Sequence, residues 1–114
     1  MNIVELAEYR YNNKLQFSEE ANQELREMID LTSATMEMAI SALEKSDKDL
    51  ANQVVELEEK VDKMERQLRK THLKRLSEGV CSGGAGVVFL DIISNLERMA
   101  DHSMNIAQYV LGEV

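Results

Sequence analysis

Three long stretches of this chain repeat apolar residues at steps of three and four, and no proline interrupts any of them. That period matches one face of an α-helix and not the alternation of a strand. The first stretch covers about 19–45, with Ala21, Leu25, Met28, Thr32, Thr35, Met36, Ala39 and Leu43 on its stripe. The second covers about 48–77, where Leu50, Val54, Leu57, Val61, Met64 and Leu68 come close to a heptad. The third covers about 87–111, with Phe89, Ile92, Ile93, Leu96, Met99, Ala100, Met104, Ala107 and Leu111. Ser18 is placed to cap the first helix and Ser46 or Asp47 the second. The segment EGVCSGGAG, residues 78–86, holds four of the five glycines and reads as the loop before the third helix. Short connections make successive helices antiparallel. The expected fold is all-α: an elongated antiparallel three-helix bundle over residues 17–114, preceded by a short N-terminal helical segment over residues 1–16.

Charge narrows the partners. The net charge of −8 is spread along the chain, which excludes nucleic acid as a partner and favours cations. Cys81 is the sole cysteine, so a disulfide framework is excluded and a cytoplasmic setting is favoured. It reads as a small loop side chain, with no general base placed near it. No apolar run approaches the roughly 20 residues that span a bilayer, so direct membrane insertion is not expected. The glycine pattern GxxxGGxG follows no strand and lacks a phosphate-loop lysine, so it reads as a turn.

The third helix places Glu97 and Asp101 one turn apart, and the second places Glu58 and Asp62 at the same spacing. Spacing alone says little, since acids four apart occur no more often than this acidity predicts. Position says more: both pairs border an apolar stripe, which puts them at a bundle seam. In an antiparallel hairpin Asp62 and Asp101 come level, roughly 22 Å from the turn. Four converging carboxylates need a compensating cation, a shared proton or a metal. Their oxygens suit hard ions such as magnesium, calcium, manganese or iron. The alternative is that they line solvated edges and pair with Lys60, Lys63 or Arg98. His72 and His102 are candidate nitrogen ligands, read more simply as boundary histidines.

The phrase NLERMADHSMNIA, which contains Glu97 and Asp101, resembles the signature that closes the three-helix bundle of the PhoU-like domain. The resemblance implies a metal motif of the form acid-x-x-x-Asp, which falls on Glu97–Asp101 and on Glu58–Asp62. It implies iron or zinc as the ion. Met99-Ala100 stands where the family usually has Ile-Gly. FSEEANQEL and HLKRLSEGVCSGGAG are similar to the version fused to sodium/phosphate cotransporters. NIVELAEYR near the start echoes NIAQYVLGE near the end. Because such units are commonly repeated, Asn2 to about Lys14 is expected to be the tail of a preceding unit, with Met1 an added start.

The resemblance implies a cytosolic regulatory or accessory domain of a sodium-dependent phosphate transporter. It would bind metal and, through the metal, phosphate, and would act on a membrane transporter domain. The alternatives are a separate regulator of phosphate uptake working by protein contact, or a metal-free helical module that forms a homodimer. Enzyme activity is not expected: di-iron oxidases pair carboxylate helices with Glu-x-x-His motifs, and none occurs here.

Overall fold

The computed structural model of the chain describes residues 18–79 and 83–112. The expectations for residues 1–16 and for Cys81 fall outside them. The described chain forms three helices: α1 (Glu19–Lys45), α2 (Lys48–Ser77) and α3 (Gly83–Leu111). Ser18 caps α1, its hydroxyl accepting from the Ala21 amide. Asp47 caps α2 by accepting from the amides of Asp49 and Leu50. Ser46 instead ends α1 in a left-handed conformation, φ 51°, and its amide donates back to Leu43. The two roles need adjacent residues, which is why both fit the sequence pattern.

The third helix starts earlier than its apolar pattern indicates, inside the glycine run at Gly83 rather than at Val87. Packing explains this. Ala85 and Gly86 are buried, and a β-carbon on Gly86 would lie 2.6 Å from Leu76 Cδ2 of α2. The glycine therefore lets α3 press against the end of α2, and that contact outweighs its poor helix propensity of about 1 kcal/mol.

The helices meet pairwise in a body measuring 47 × 26 × 22 Å. Contacts link the start of α1 to the end of α2, where Arg75 grips Glu24 at 2.7 Å and also reaches Glu20. They link the later part of α2 to the earlier part of α3, where Arg69 donates to Ser94 Oγ at 2.7 Å. Two apolar clusters fill the interior. The larger holds Leu25, Met28, Val61, Leu68, Phe89, Ile93 and Leu96. The smaller is built of Ala39, Ala42, Ala51, Val54 and Ala107. On α1 the buried positions run Ala21, Leu25, Met28, Thr32, Thr35, Ala39, Ala42, a strict 4-3 alternation. Leu43 lies off that seam and is 44% exposed, contrary to its expected place on the stripe. No described helix is long and apolar enough to cross a membrane.

Candidate metal centre

Acids gather where α2 and α3 face each other. Glu58 from α2 and Glu97 and Asp101 from α3 each bring one carboxylate oxygen within 4.8 Å of the others. Glu58 and Glu97 are partly buried and Asp101 is exposed, so the group opens to solvent on one side. Val54 and Val61 bracket Glu58 on the buried face of α2, while Leu96, Ala100 and Ala107 anchor the acids of α3.

The α2 partner of Asp101 is Glu58, one turn further from the hairpin than Asp62. The early start of α3 is the reason. With Gly83 as the first helical residue, Asp101 lies one turn deeper from the connection than a start at Val87 would put it. Asp62 turns aside and pairs with Arg66 at 2.9 Å. Both partners of that bridge are well exposed, so it is worth at most about 1 kcal/mol and yields readily to a stronger attraction. The negative charge of Asp62 is still felt at both Glu58 and Glu97.

Protonation reports the strain on the group. Burial pushes the Glu58 carboxyl above the usual carboxylate range. A hydrogen bond with Asp101 and the charges of Asp101, Asp62 and Glu97 push it further. Glu97 is raised in the same way, first by burial, then by the charges of Asp101, Glu65 and Asp62. Among the described residues no lysine or arginine forms an ion pair with Glu58, Glu97 or Asp101. Lys60, Lys63 and Arg98, the cations that could have neutralised them, are all exposed and unengaged with them.

One further acid belongs to this neighbourhood and escaped the sequence reading. Glu65 is buried, and Arg69 neutralises it through Nε at 2.7 Å and Nη2 at 2.6 Å. Arg69 also bridges across to Ser94 of α3. The signal was available: Glu65 stands four after Val61 and three before Leu68, next to Met64 at the edge of the heptad stripe. Arginine thus covers Glu65 and Asp62, and leaves Glu58, Glu97 and Asp101 as the uncompensated set.

Neither histidine joins the acids. His102 is exposed. His72 is buried and stacks on Phe89, ring centroids 4.1 Å apart and planes 13° from parallel. Burial, then the neighbouring Arg75, lowers its pKa and keeps the ring neutral, as an aromatic core element.

The donor set fits a hard cation. Two ligands of one ion are separated by at most twice the metal–oxygen distance, which is about 4.6–5.2 Å for calcium and about 4.2 Å for magnesium. Oxygens within 4.8 Å meet the first limit as they stand and the second after small side-chain rotations. All three donors are carboxylates, with no sulfur or imidazole among them.

Comparison with known proteins agrees with the bundle. The family model for the PhoU domain matches residues 25–110. The chain is also 30% identical over 110 residues to the phosphate-specific transport system accessory protein PhoU homolog 1 of Thermotoga maritima. That alignment covers 96% of this chain and 47% of the relative, so the chain spans about half the length of the curated relative it matches. No solved structure matches it.

Proposed function

The chain belongs to the PhoU domain family, and from that premise we propose that it is a metal-binding regulatory domain serving phosphate transport. The observation that carries the metal part is the carboxylate trio of Glu58, Glu97 and Asp101, drawn together from two helices with no cation paired to it among the described residues. On this reading Glu58, Glu97 and Asp101 hold the ion, and Asp62 swings from Arg66 to complete the set. The ion is iron or zinc by family resemblance; the all-oxygen donors also accept magnesium, manganese or calcium. A bound di- or trivalent ion would offset the clustered charge and offer a free coordination position to a phosphate oxygen. Phosphate needs such a bridge, because the net charge of −8 repels an anion. Around an ion these residues would fix α2 against α3; without one they repel, so the fit of the two helices depends on what is bound between them.

The domain acts by contact with a membrane transporter domain, from the cytoplasmic side, and is not an enzyme. Similarity of FSEEANQEL and HLKRLSEGVCSGGAG to the cotransporter-fused version supports a sodium-dependent phosphate transporter as that partner. The relative named as an accessory protein of a phosphate-specific transport system supports a second reading, a separate regulator of uptake. The contacts that join the start of α1 to the end of α2 support three helices running up, down and up.

Elemental analysis of dialysed protein is expected to find stoichiometric metal. Asp101→Asn combined with Glu58→Gln should remove most of it. The same double variant should raise the melting temperature of the metal-free chain while abolishing the gain produced by added manganese. Wild-type protein with only trace metal and no manganese-dependent gain would overturn the metal assignment.

A further inference from the structure

Acids are spread along this chain, but cations are not. Seven of the thirteen lysines and arginines fall between residues 60 and 75, against two of the twenty-one acids. Helix α2 turns four of those cations outward. Lys63, Arg66, Lys70 and Lys74 are all exposed and follow at steps of three and four, so they form one straight ridge about 16 Å long. The ridge lies on the side of α2 opposite its buried residues Val61, Leu68 and His72. From Lys63 to Ser77 the sole acid on the helix is Glu65, which is buried and held by Arg69. Among the described residues Lys63, Lys70 and Lys74 form no ion pair, and Arg66 pairs with Asp62 alone.

Apolar side chains flank one end of the ridge. Leu73 is 50% exposed between Lys70 and Lys74. Val87, 60% exposed, lies in the first turns of α3 at the same end of the bundle, where Gly86 packs on Leu76 and Phe89 stacks on His72. Toward the other end of α2 the same outer line turns acidic at Glu59 and Glu56. A flat anionic surface is therefore attracted only where α2 gives way to α3. Residue type separates this patch from an ordinary protein contact. Protein interfaces are depleted in lysine and enriched in aromatic residues. Here three lysines, one arginine and two exposed aliphatic side chains stand together, with no aromatic one among them. Cations clustered beside exposed aliphatic side chains on a helix suit anionic lipid headgroups.

We propose that the C-terminal half of α2 is a peripheral docking surface for an anionic lipid bilayer. Lys63, Arg66, Lys70 and Lys74 lie against lipid phosphates, while Leu73 and Val87 enter the headgroup layer. The contact is made from one side of the membrane and needs no spanning helix. Each cation held at such a surface strengthens binding about fivefold. Acids elsewhere oppose it weakly, because charges on the far side of a body 22 Å thick lie beyond the screening length of about 8 Å at physiological salt. Asp62, Glu78 and Asp91 border the patch and reduce its charge, so the binding is weak and sensitive to salt. Glu58, Glu97 and Asp101 take no part, so the proposal stands or falls apart from the metal reading.

Co-sedimentation of the full chain with lipid vesicles tests it. Vesicles mixing phosphatidylglycerol with phosphatidylcholine should carry the chain down at low salt, and about 0.5 M salt should release it. Vesicles of phosphatidylcholine alone should leave it in solution. Lys70→Glu with Lys74→Glu should weaken binding at least about tenfold. Lys45→Glu with Lys48→Glu makes the same change in net charge at the opposite end of the bundle, and should alter binding less than about twofold. Leu73→Asn should weaken it about threefold. All five positions are exposed, so each variant should keep the helical circular dichroism spectrum of the wild type. A wild-type chain that ignores the anionic vesicles overturns the proposal and leaves the ridge to an acidic protein or to solvent. Equal binding to neutral vesicles overturns it, as does a Leu73→Asn chain that binds like the wild type. So does a Lys70→Glu, Lys74→Glu chain that loses no more than the Lys45→Glu, Lys48→Glu chain, since net charge and not this ridge would then govern adsorption.

Discussion

Glu58 and Glu97 hold their protons more tightly in the folded chain than they would unfolded, because burial and neighbouring acids disfavour their charged forms. The folded state of the metal-free protein therefore binds more protons than the unfolded state once pH exceeds the ordinary carboxylate pKa. Their contribution to stability is fully present below that pKa and is lost as pH rises through the raised values. Replacing Glu58 by glutamine removes one of these groups. In chelator-treated protein, the melting temperature of Glu58→Gln should match the wild type at acid pH and exceed it increasingly as pH rises to neutrality. A gap that stays constant with pH would mean that Glu58 is an ordinary solvated acid. On the metal-binding proposal the sign reverses, since an ion would have to displace those protons and would bind more tightly as pH rises. At this scale the sequence was informative about Glu58, Glu97 and Asp101, because their place beside an apolar stripe is a matter of helical period. It set Asp62 level with Asp101, whereas the side chain follows Arg66, a choice of rotamer that leaves no trace in spacing. It spoke for Glu65, but an acid beside the stripe is easily passed over when only apolar residues are traced, because Met64 already fills the place between Val61 and Leu68.

Helix boundaries are where local chemistry and packing compete. α1 begins and ends, and α2 begins, where their capping residues direct, because Ser18, Ser46 and Asp47 satisfy orphan backbone groups within a few residues. α3 does not, because the reason for its early start lies on another helix. Glycine next to glycine signals a turn locally, yet Gly86 is helical because Leu76 occupies the space where its side chain would go. No reading of the third segment alone could supply that partner. Two substitutions separate the effects. Gly86→Ala should be nearly neutral, because a propensity gain of about 1 kcal/mol offsets the displacement of the half-buried Leu76 side chain. Gly86→Ile should cost about 1–3 kcal/mol, because a β-branched side chain cannot be absorbed without moving α3 off α2. Urea denaturation measures both. A stability loss from Gly86→Ala as large as that from Gly86→Ile would show that the closeness of the backbones, not the size of the side chain, sets the limit.

Across the whole molecule the two apolar clusters are unequal. One is filled by Leu25, Met28, Leu68, Phe89, Ile93 and Leu96; the fully buried residues of the other are alanine but for Val54, and its larger side chains, Met38, Leu50, Ile106, Val110 and Leu111, are only partly buried. Apolar burial contributes about 25 cal/mol per Å², so the alanine end is held by much less area. Amides around Ala39–Ala42 and Ala51–Val54 should therefore exchange with solvent faster than those around Val61–Leu68 and Phe89–Leu96. Hydrogen exchange followed by mass spectrometry reads this directly, and uniform protection along α2 would contradict it. Added manganese should slow exchange most in the segments on either side of Glu58 and Asp101. The acids sit at the joint between the clusters: Glu58 lies between Val54 of one and Val61 of the other, and Asp101 between Ala100 and Ala107. Their position has a thermodynamic consequence. With repelling charge at the joint, the alanine half can melt ahead of the rest, and the unfolding enthalpy is shared between two events. A cation held there ties the halves into a single cooperative unit, so that its presence is registered as the number of transitions through which the bundle unfolds.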